Sequence, residues 1–335
     1  MILPFPRTDV PDGDGETFTT FAANFMASKL AMVAAELGLF ERLADGPLTL
    51  DELAKATAIA PRPLRVVATG LVALDLLQLD GDRYRNAPAA QAFLTGRGAV
   101  DVRAAWRFYD QVCYPMWMQL AEVVRSGAPA RLDASPEQAR VYSEGVAVLT
   151  GFAARALPDR FEFAPHRRLL DVGGGTGSYL VPLLERYPSL RATLFERPAA
   201  AAVARRALAQ SPARERIEIV EGDALTGALP DGHDVMLMAS IIHLFSPEKV
   251  TRLLANARER AERGCKLLIV DQWMDRTHTQ PALAAMVACT ALIVAGDGDT
   301  YSVDEAEPWL QKTGWRLLDH RALSGVTSMV VAEAR

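Results

Sequence analysis

Hydrophobic residues follow two different spacings along the chain, and the spacing changes near residue 160. From about Thr17 to Leu157 they recur at intervals of three and four, as between Phe25 and Leu43, which predicts helices. From Arg168 onward, short apolar runs alternate with helical segments, a pattern typical of a mostly parallel sheet with crossover helices. The pattern therefore predicts a mainly helical N-terminal part followed by a doubly wound α/β part.

The α/β part is expected to alternate strands and helices as far as the C-terminus. The predicted strands are 168–172, 191–195, 216–220, 234–239, 266–271, 315–320 and 327–333. The predicted helices between them are 177–187, 199–210, 247–262 and 303–313.

A compact unit in the helical part has the outline of a winged helix. Leu50 to Ala54 predicts a short helix, residues 60–63 a turn, Leu64 to Leu77 a second helix, and LQLDGDRYRNA a hairpin around its Gly-Asp turn. A helix that reads DNA needs basic or amide side chains on one face, but the second helix carries only Arg65 beyond its first turn. Packing or dimerisation is therefore the favoured role, and a ligand-sensing DNA regulator the less favoured one.

Composition narrows the function classes. The chain has 335 residues with a formal net charge of −5, which favours neither nucleic acid nor an anionic membrane as partner. Its three cysteines are far apart, which argues against a disulfide framework or a metal site and favours a reducing cytoplasm. We find no apolar run long enough to span a membrane.

The predicted organisation has four parts. They are a mobile N-terminal arm at 1–16, a winged-helix dimerisation domain at 17–100, a helical linker and acceptor-pocket region at 101–160, and a ligand-binding α/β domain at 161–335.

A glycine-rich loop follows the first strand of the α/β part, in LLDVGGGTGSY. Gly173 and Gly175 match the first two glycines of the dinucleotide-binding motif, but Ser178 stands where the third should be, and Gly177 comes one residue too early. No Lys-Ser or Lys-Thr pair follows, so the phosphate-loop pattern fails as well. The loop therefore favours a nucleoside with a charged arm over a ligand that threads a pyrophosphate.

Carboxylates lie at the ends of three consecutive strands, at the edge where open α/β sheets bind ligands. Asp171 precedes the loop and can reach a cationic or amino group, while Glu196 closes the second strand and can accept both hydroxyls of a ribose. Asp223, beside the small Ala224, follows the third strand and can accept from an adenine amine. Ser240, after the fourth strand, completes the predicted cofactor-binding set.

The stretch LLDVGGGTGSYLVPLLERYPSLRATLFERP resembles the glycine motif of class I methyltransferases, most closely that of small-molecule O-methyltransferases from plants and bacterial natural-product pathways. The winged-helix unit resembles the N-terminal dimerisation domain of the same family, so the resemblance runs from about residue 17 to the end. It implies a Rossmann-like fold, S-adenosylmethionine as cofactor, a homodimer, and cofactor contacts from Gly173, Gly175, Glu196 and Asp223. Glu196 replaces the family's usual Asp, which lengthens the arm and keeps the carboxylate.

Methyl transfer to a phenol is helped by a general base, and His243 is the candidate. It lies just past the fourth strand, where the resembled family has its catalytic histidine in a His-Asp-Trp triplet, although Leu244 and Phe245 follow here. Such a histidine needs a carboxylate to fix its tautomer, for which Asp271 and Asp299 are the candidates.

An aromatic and sulfur-rich face in WRFYDQVCYPMWM predicts a flat, apolar acceptor pocket, with two further residues on a later helix forming the opposite wall. The predicted acceptor residues are Trp106, Tyr109, Cys113, Met116, Trp117, Met286 and Thr290. The sequence thus predicts methyl transfer to an aromatic hydroxyl of a small molecule of the secondary-metabolite type. N- or C-methylation, or non-methylating chemistry with the same cofactor, remain alternatives.

Overall fold

The computed structural model describes residues 21–131 and 135–335, which divide into two compact units. The first unit comprises residues 21–114 and 136–148, and the second comprises the remaining described residues. The predicted helical region 101–160 is thereby divided between the two units, and the predicted arm 1–16 lies outside the described residues. In the described ranges, no helix is long and apolar enough to cross a membrane.

The first unit is mainly helical, with a small antiparallel sheet in the order β1-β3-β2. Its strands are β1 (Leu48–Thr49), β2 (Leu77–Asp80) and β3 (Arg83–Asn86). Its helices are α1 (Phe25–Glu36), α2 (Leu39–Arg42), α3 (Leu50–Thr57), α4 (Pro61–Ala73), α5 (Pro88–Phe93) and α6 (Arg103–Phe108), followed by a π-helix at Tyr109–Cys113. Buried leucines of α3 and α4 pack with Phe40 of α2 in one core.

Three details of this unit differ from the sequence prediction. The helix expected from Phe25 to Leu43 is broken, because Gly38 adopts a left-handed conformation with φ of 71° between α1 and α2. The turn expected at residues 60–63 is instead the first turn of α4. Proline has no backbone N–H, but the N–H groups in the first turn of a helix have no partner within the helix, so Pro61 can begin α4 without losing a hydrogen bond. The predicted hairpin is present, and β1 adds a third strand beside β3.

The second unit contains a seven-stranded sheet in the order β6-β5-β4-β7-β8-β10-β9. The strands are β4 (Arg168–Val172), β5 (Arg191–Glu196), β6 (Ile217–Glu221), β7 (Val235–Ala239), β8 (Lys266–Asp271), β9 (Trp315–Ser324) and β10 (Thr327–Ala334). Its helices are α8 (Leu120–Ser126), α10 (Leu180–Arg186), α11 (Pro198–Leu208), α12 (Pro247–Arg260), α13 (Ala282–Ala295) and α14 (Val303–Lys312), with 3₁₀ turns at Arg214–Arg216 and Ile242–Leu244. Two helices cross the boundary between the units along the chain, α7 (Tyr114–Trp117) and α9 (Pro136–Arg160).

Both faces of the large sheet are covered, as the continuous apolar strands predict. Successive residues of β8 alternate between two cores: Leu268 packs with leucines of α10, while Leu267 packs with leucines of α12. The first five strands are parallel, and β10 runs antiparallel to both of its neighbours. The predicted doubly wound, mostly parallel sheet is therefore confirmed.

The strand order places a ligand-binding edge in the middle of this sheet. From β4 the chain proceeds outward through β5 and β6, and then returns to form β7 on the other side of β4. Ligands of open α/β sheets bind at the carboxyl ends of the strands where the order reverses in this way. The glycine loop after β4 and the turn after β7 both lie at that point.

Candidate functional site

The glycine loop adopts a backbone that side chains disfavour. Gly173, Gly175 and Gly177 have φ values of 70°, 57° and 78°, all in the left-handed region. A β-carbon at Gly173 would lie 2.3 Å from Cδ1 of Ile241, whereas one at Gly175 would meet nothing within 4 Å. The loop extends the turn after β4, so α10 begins at Leu180 rather than at residue 177. The three glycines therefore allow the left-handed backbone of the loop after β4, and the absence of a side chain at Gly175 leaves space beside the loop.

Asp171 lies on β4 immediately before this loop and is completely buried. Neither of its carboxylate oxygens has a hydrogen-bond partner among the described residues. Burial, together with the negative charge of Glu196 on the next strand, raises the pKa of Asp171 to about 7. A buried carboxylate in this state can be stabilised by a proton or by a positively charged group.

The two other predicted cofactor acids are held by backbone amides. Glu196 accepts hydrogen bonds from the amide of Gly175 at 3.1 Å and from that of Arg197 at 2.8 Å, so its carboxylate is fixed against the glycine loop. Asp223 is exposed and accepts from the amide of Leu225 at 2.8 Å.

Asn256 on α12 fixes the loop that carries Asp223. Its side-chain amide donates to the carbonyl oxygens of Ala224 and Gly227, at 2.8 and 2.7 Å. Sequence reasoning missed this residue, because no local motif links an Asn in the middle of α12 to a loop thirty residues earlier.

His243 and Asp271 form a hydrogen-bonded pair. Nδ1 of His243 lies 2.8 Å from Oδ1 of Asp271, and the backbone amide of His243 donates to Oδ2 of the same carboxylate at 3.4 Å. Asp271 ends β8 and is 2% exposed, while His243 sits in the 3₁₀ turn that follows β7. Since an ionised carboxylate can only accept, the Nδ1 nitrogen carries the proton and Nε2 holds the lone pair.

The pair determines the ionisation of the imidazole. Burial alone would lower the pKa of His243, but the charge of Asp271 and the hydrogen bond to it oppose this, and the pKa is raised above its usual value of 6.5. A partly buried histidine with a raised pKa, whose Nε2 carries a lone pair, is suited to accept a proton near neutral pH.

Phe245, the second of the two apolar residues after His243, has a packing role. Phe245 packs against the core formed by α12 and the sheet, and its carbonyl accepts a hydrogen bond from the buried hydroxyl of Tyr301. Phe245 therefore anchors the turn where the resembled family carries Asp-Trp.

The other candidate acid, Asp299, contacts the backbone of the histidine rather than its ring. Its amide donates to the carbonyl oxygen of His243 at 3.0 Å, and its own carboxylate accepts from the amide of Thr300 at 2.7 Å. Asp297, two residues earlier, pairs with Lys249 of α12 at 2.7 Å. The segment 296–300 (GDGDT), which contains both of these acids, thus supports the turn that carries His243, and Asp271 is the acid that the structure brings to the imidazole.

Two predicted acceptor residues lie one turn apart on α13. Met286 is 41% exposed, and the hydroxyl of Thr290 donates to the Met286 carbonyl at 3.2 Å. Gly298 lies between this helix and the His243 turn, since a β-carbon there would meet the carbonyl oxygens of both His243 and Ala291. The structure therefore brings α13 close to the turn that bears His243.

The predicted aromatic face is divided. In the first unit, Trp106 packs edge-on against Phe40 at 6.3 Å between ring centroids, and Cys113 is buried, while Tyr109 is exposed at the start of the π-helix. In the second unit, Met116 is buried and Trp117 is half-buried. The helical spacing in the sequence could not reveal the π-helix, which turns Tyr109 and Cys113 away from regular helical positions.

Two further polar residues lie near the pair and the loop. The hydroxyl of Tyr179, at the start of α10, is buried, and its pKa is raised by burial and by its proximity to Asp271 and Asp171. Ser240 has a φ of 53°, a strained conformation for a residue other than glycine. Tyr179 could have been suspected from its place directly after the glycine loop, but its burial could not.

Comparison with known families assigns both parts of the chain. The family described as "O-methyltransferase domain" matches residues 117–316, and the family described as "O-methyltransferase dimerisation domain" matches residues 19–96. The first match alone covers more than half of the chain. The resemblance inferred from the glycine motif and the winged helix is therefore confirmed.

Individual relatives agree with this assignment. The 8-O-methyltransferase of tetracenomycin polyketide synthesis from Streptomyces glaucescens is 29% identical over 97% of this chain and 98% of its own. A 3-amino-4-hydroxybenzoate 4-O-methyltransferase from Streptomyces cremeus is 30% identical over 97% of this chain and 92% of its own. Human N-acetylserotonin methyltransferase, solved in complex with SAM, shares the fold with a TM-score of 0.86 at 21% identity, over 98% of this chain and 99% of its own. The chain belongs to the family of S-adenosylmethionine-dependent small-molecule O-methyltransferases of secondary metabolism that carry an N-terminal dimerisation domain.

Proposed function

We propose that this O-methyltransferase methylates a hydroxyl group on an aromatic small molecule and that His243 is its general base. The observation that supports this most directly is the hydrogen bond of 2.8 Å between His243 and Asp271 at the edge of the sheet that carries the glycine loop. It fixes the tautomer that leaves Nε2 able to accept a proton.

The residues after β4, β5 and β6 fit S-adenosylmethionine. Gly175 leaves open space beside Glu196, whose fixed carboxylate would accept the two ribose hydroxyls. Asp223, next to Ala224, would accept from the adenine amine. The orphaned, buried carboxylate of Asp171 would face the positive charge of the cofactor's amino-acid arm.

The chemistry requires little covalent participation by the protein. S-adenosylmethionine, when bound, supplies an electrophilic methyl group on a sulfonium. His243 would orient the acceptor hydroxyl and remove its proton as the oxygen becomes nucleophilic, and Asp271 would stabilise the resulting imidazolium. A phenol has a pKa of about 10, so a base acting near pH 7 contributes roughly 10²–10⁴ in rate.

The acceptor-binding residues remain predictions. Met286 and Thr290 have the strongest support, because α13 packs close to the His243 turn and Met286 is partly exposed. Trp106, Tyr109, Cys113, Met116 and Trp117 would contribute apolar and aromatic contacts. Of these, Trp106 has the weakest support, because its ring is packed against Phe40 in the core of its unit.

The enzyme is proposed to act as a homodimer in the cytoplasm. The dimerisation-domain match at residues 19–96 supports the assembly. Exposed apolar side chains of the first unit, including Phe25 at 55% and Met26 at 60%, provide surface that a second copy could cover. The cytoplasmic location rests on the separated cysteines, all three of which are free.

A single acceptor can test the proposed function and its N-methylating alternative together. 3-Amino-4-hydroxybenzoate carries a phenol and an amine on one ring, and a panel of phenolic acids and naphthols extends the search. Incubation with isotopically methyl-labelled S-adenosylmethionine, followed by mass spectrometry and NMR, should place the label on a ring oxygen. Label on nitrogen or carbon would contradict the proposal.

A further inference from the structure

The carboxylate of Asp171 occupies an unfavourable place for a charge. It is completely buried, and neither oxygen has a hydrogen-bond partner in the described ranges of the chain. The backbone of the glycine loop closes over it, since a β-carbon at Gly174 would lie 2.3 Å from its Oδ2. An ionised carboxylate there loses its hydration and gains nothing in exchange, so it needs either a proton or a positively charged neighbour.

Among the residues that the structure describes, no positively charged group acts on Asp171. Across the sheet, β5 brings the carboxylate of Glu196, whose negative charge acts on Asp171. From the side of the glycine loop, the buried hydroxyl of Tyr179 lies close enough for the charge of Asp171 to contribute to its raised pKa. Burial and Glu196 together raise the pKa of Asp171 to about 7. The carboxyl group of Asp171 is therefore partly protonated at neutral pH, and a cation that binds beside it can displace the proton.

We propose that Asp171 is a proton-linked counter-charge, which carries a proton in the cofactor-free enzyme and releases it when the ammonium group of the cofactor's amino-acid arm binds beside it. The inference rests on the proposed position of the cofactor at the glycine loop. One O–H bond of the carboxylic acid breaks, and its proton passes to solvent as one positive charge enters the pocket. Asp171 thereby remains compensated in both states, and binding of the charged arm becomes dependent on pH.

The expected size of the effect follows from the pKa. A group with a pKa of about 7 is half protonated at pH 7, so cofactor binding should release about 0.5 proton per site, rising to about 0.9 at pH 6 and falling to about 0.1 at pH 8. Because the proton competes with the cation, affinity should be about tenfold lower at pH 6 than at pH 8 and level at higher pH.

Isothermal titration calorimetry on the full-length enzyme tests this without any turnover. S-adenosylhomocysteine is the probe, because it keeps the ammonium group and cannot donate a methyl group. Titrations at pH 7 in buffers of different ionisation enthalpy should give a slope of about half a proton released. 5′-Methylthioadenosine, which has the nucleoside without the amino-acid arm, should bind without proton release.

Two variants test whether the released proton comes from Asp171. Asp171→Asn should bind more weakly, with affinity independent of pH between 6 and 8 and with no proton release. Asp223→Asn, which removes an exposed carboxylate from the same proposed pocket, should also bind more weakly but should retain the release. Proton release that persists in Asp171→Asn would come from another group, with His243 the next to test, and would overturn the proposal.

The native protein gives an answer even if Asp171→Asn fails to fold. Normal binding of S-adenosylhomocysteine with no proton release at pH 7 would overturn the proposed role of Asp171 and leave the proposed function intact. Equal release with 5′-methylthioadenosine would exclude the amino-acid arm and would also overturn it. Failure of S-adenosylhomocysteine to bind at all would instead refute the proposed cofactor site.

Discussion

Replacing Asp271 by Asn should move the pH dependence of catalysis to lower pH. The substitution keeps the size and shape of the side chain at the end of β8, but removes the negative charge 2.8 Å from Nδ1 of His243. In the native enzyme, that charge and its hydrogen bond outweigh burial and raise the pKa of His243 above 6.5. Without the charge, burial acts alone and the pKa falls below its usual value.

The magnitude can be estimated from the geometry. A single opposite charge within hydrogen-bonding distance typically shifts a pKa by about 1–3 units, equivalent to about 1.4–4 kcal/mol. The logarithm of kcat/KM for the native enzyme should rise with pH and level off above 6.5, because the base must be neutral to accept a proton. In Asp271→Asn, the inflection should lie about 1–3 units lower. The plateau should also be lower, since a weaker base with a less certain tautomer removes the proton less effectively.

The assay is methyl transfer from labelled S-adenosylmethionine between pH 5 and pH 9, with S-adenosylhomocysteine affinity measured in parallel. Asp299→Asn is the matched control, because its carboxylate contacts the amide of Thr300 rather than the imidazole. The inflection of the control should coincide with that of the native enzyme. An inflection unmoved in Asp271→Asn, or moved equally in both variants, would refute the assignment of Asp271 as the partner of His243.

Three further outcomes are expected. Glu196→Ala should weaken S-adenosylhomocysteine binding by about tenfold or more in calorimetry, because a charged acceptor for two hydroxyls is lost; unchanged affinity would remove it from the site. Gly173→Ala should lower the melting temperature more than Gly325→Ala, because both positions have positive φ but only the first places a β-carbon 2.3 Å from Ile241; equal losses would mean that backbone strain alone matters. Light scattering should give about twice 36.4 kDa, and a monomer mass would contradict the proposed dimer.

Much of the fold could be predicted because apolar spacing directly reflects burial. The strands β4, β5 and β8 begin at the predicted residues, since each is an apolar run buried on both faces of the sheet. Errors occurred where single residues override the spacing. Gly38 breaks a pattern that reads as one continuous helix, and Pro61 begins a helix where a proline cluster suggests a turn.

The site was predictable at the level of strand ends and not at the level of contacts. Asp171, Glu196 and Asp271 were expected at one edge because parallel strands end there together. The choice between Asp271 and Asp299 as partner of His243 depended on the GDGDT loop, whose sequence does not determine which group turns toward the ring. The burial of Asp171 was equally hidden, because a carboxylate before a glycine loop can point to solvent or into the core.

The most direct test of the account is the rate of methyl transfer by His243→Ala, measured in a single turnover with an acceptor established by product analysis. At pH 7 the rate should fall by about 10²–10⁴, while S-adenosylhomocysteine affinity remains close to native. It should recover in part as the pH approaches 10, where a phenol ionises without help. A near-native rate at pH 7 would contradict the central claim that His243, held by Asp271, removes the acceptor proton.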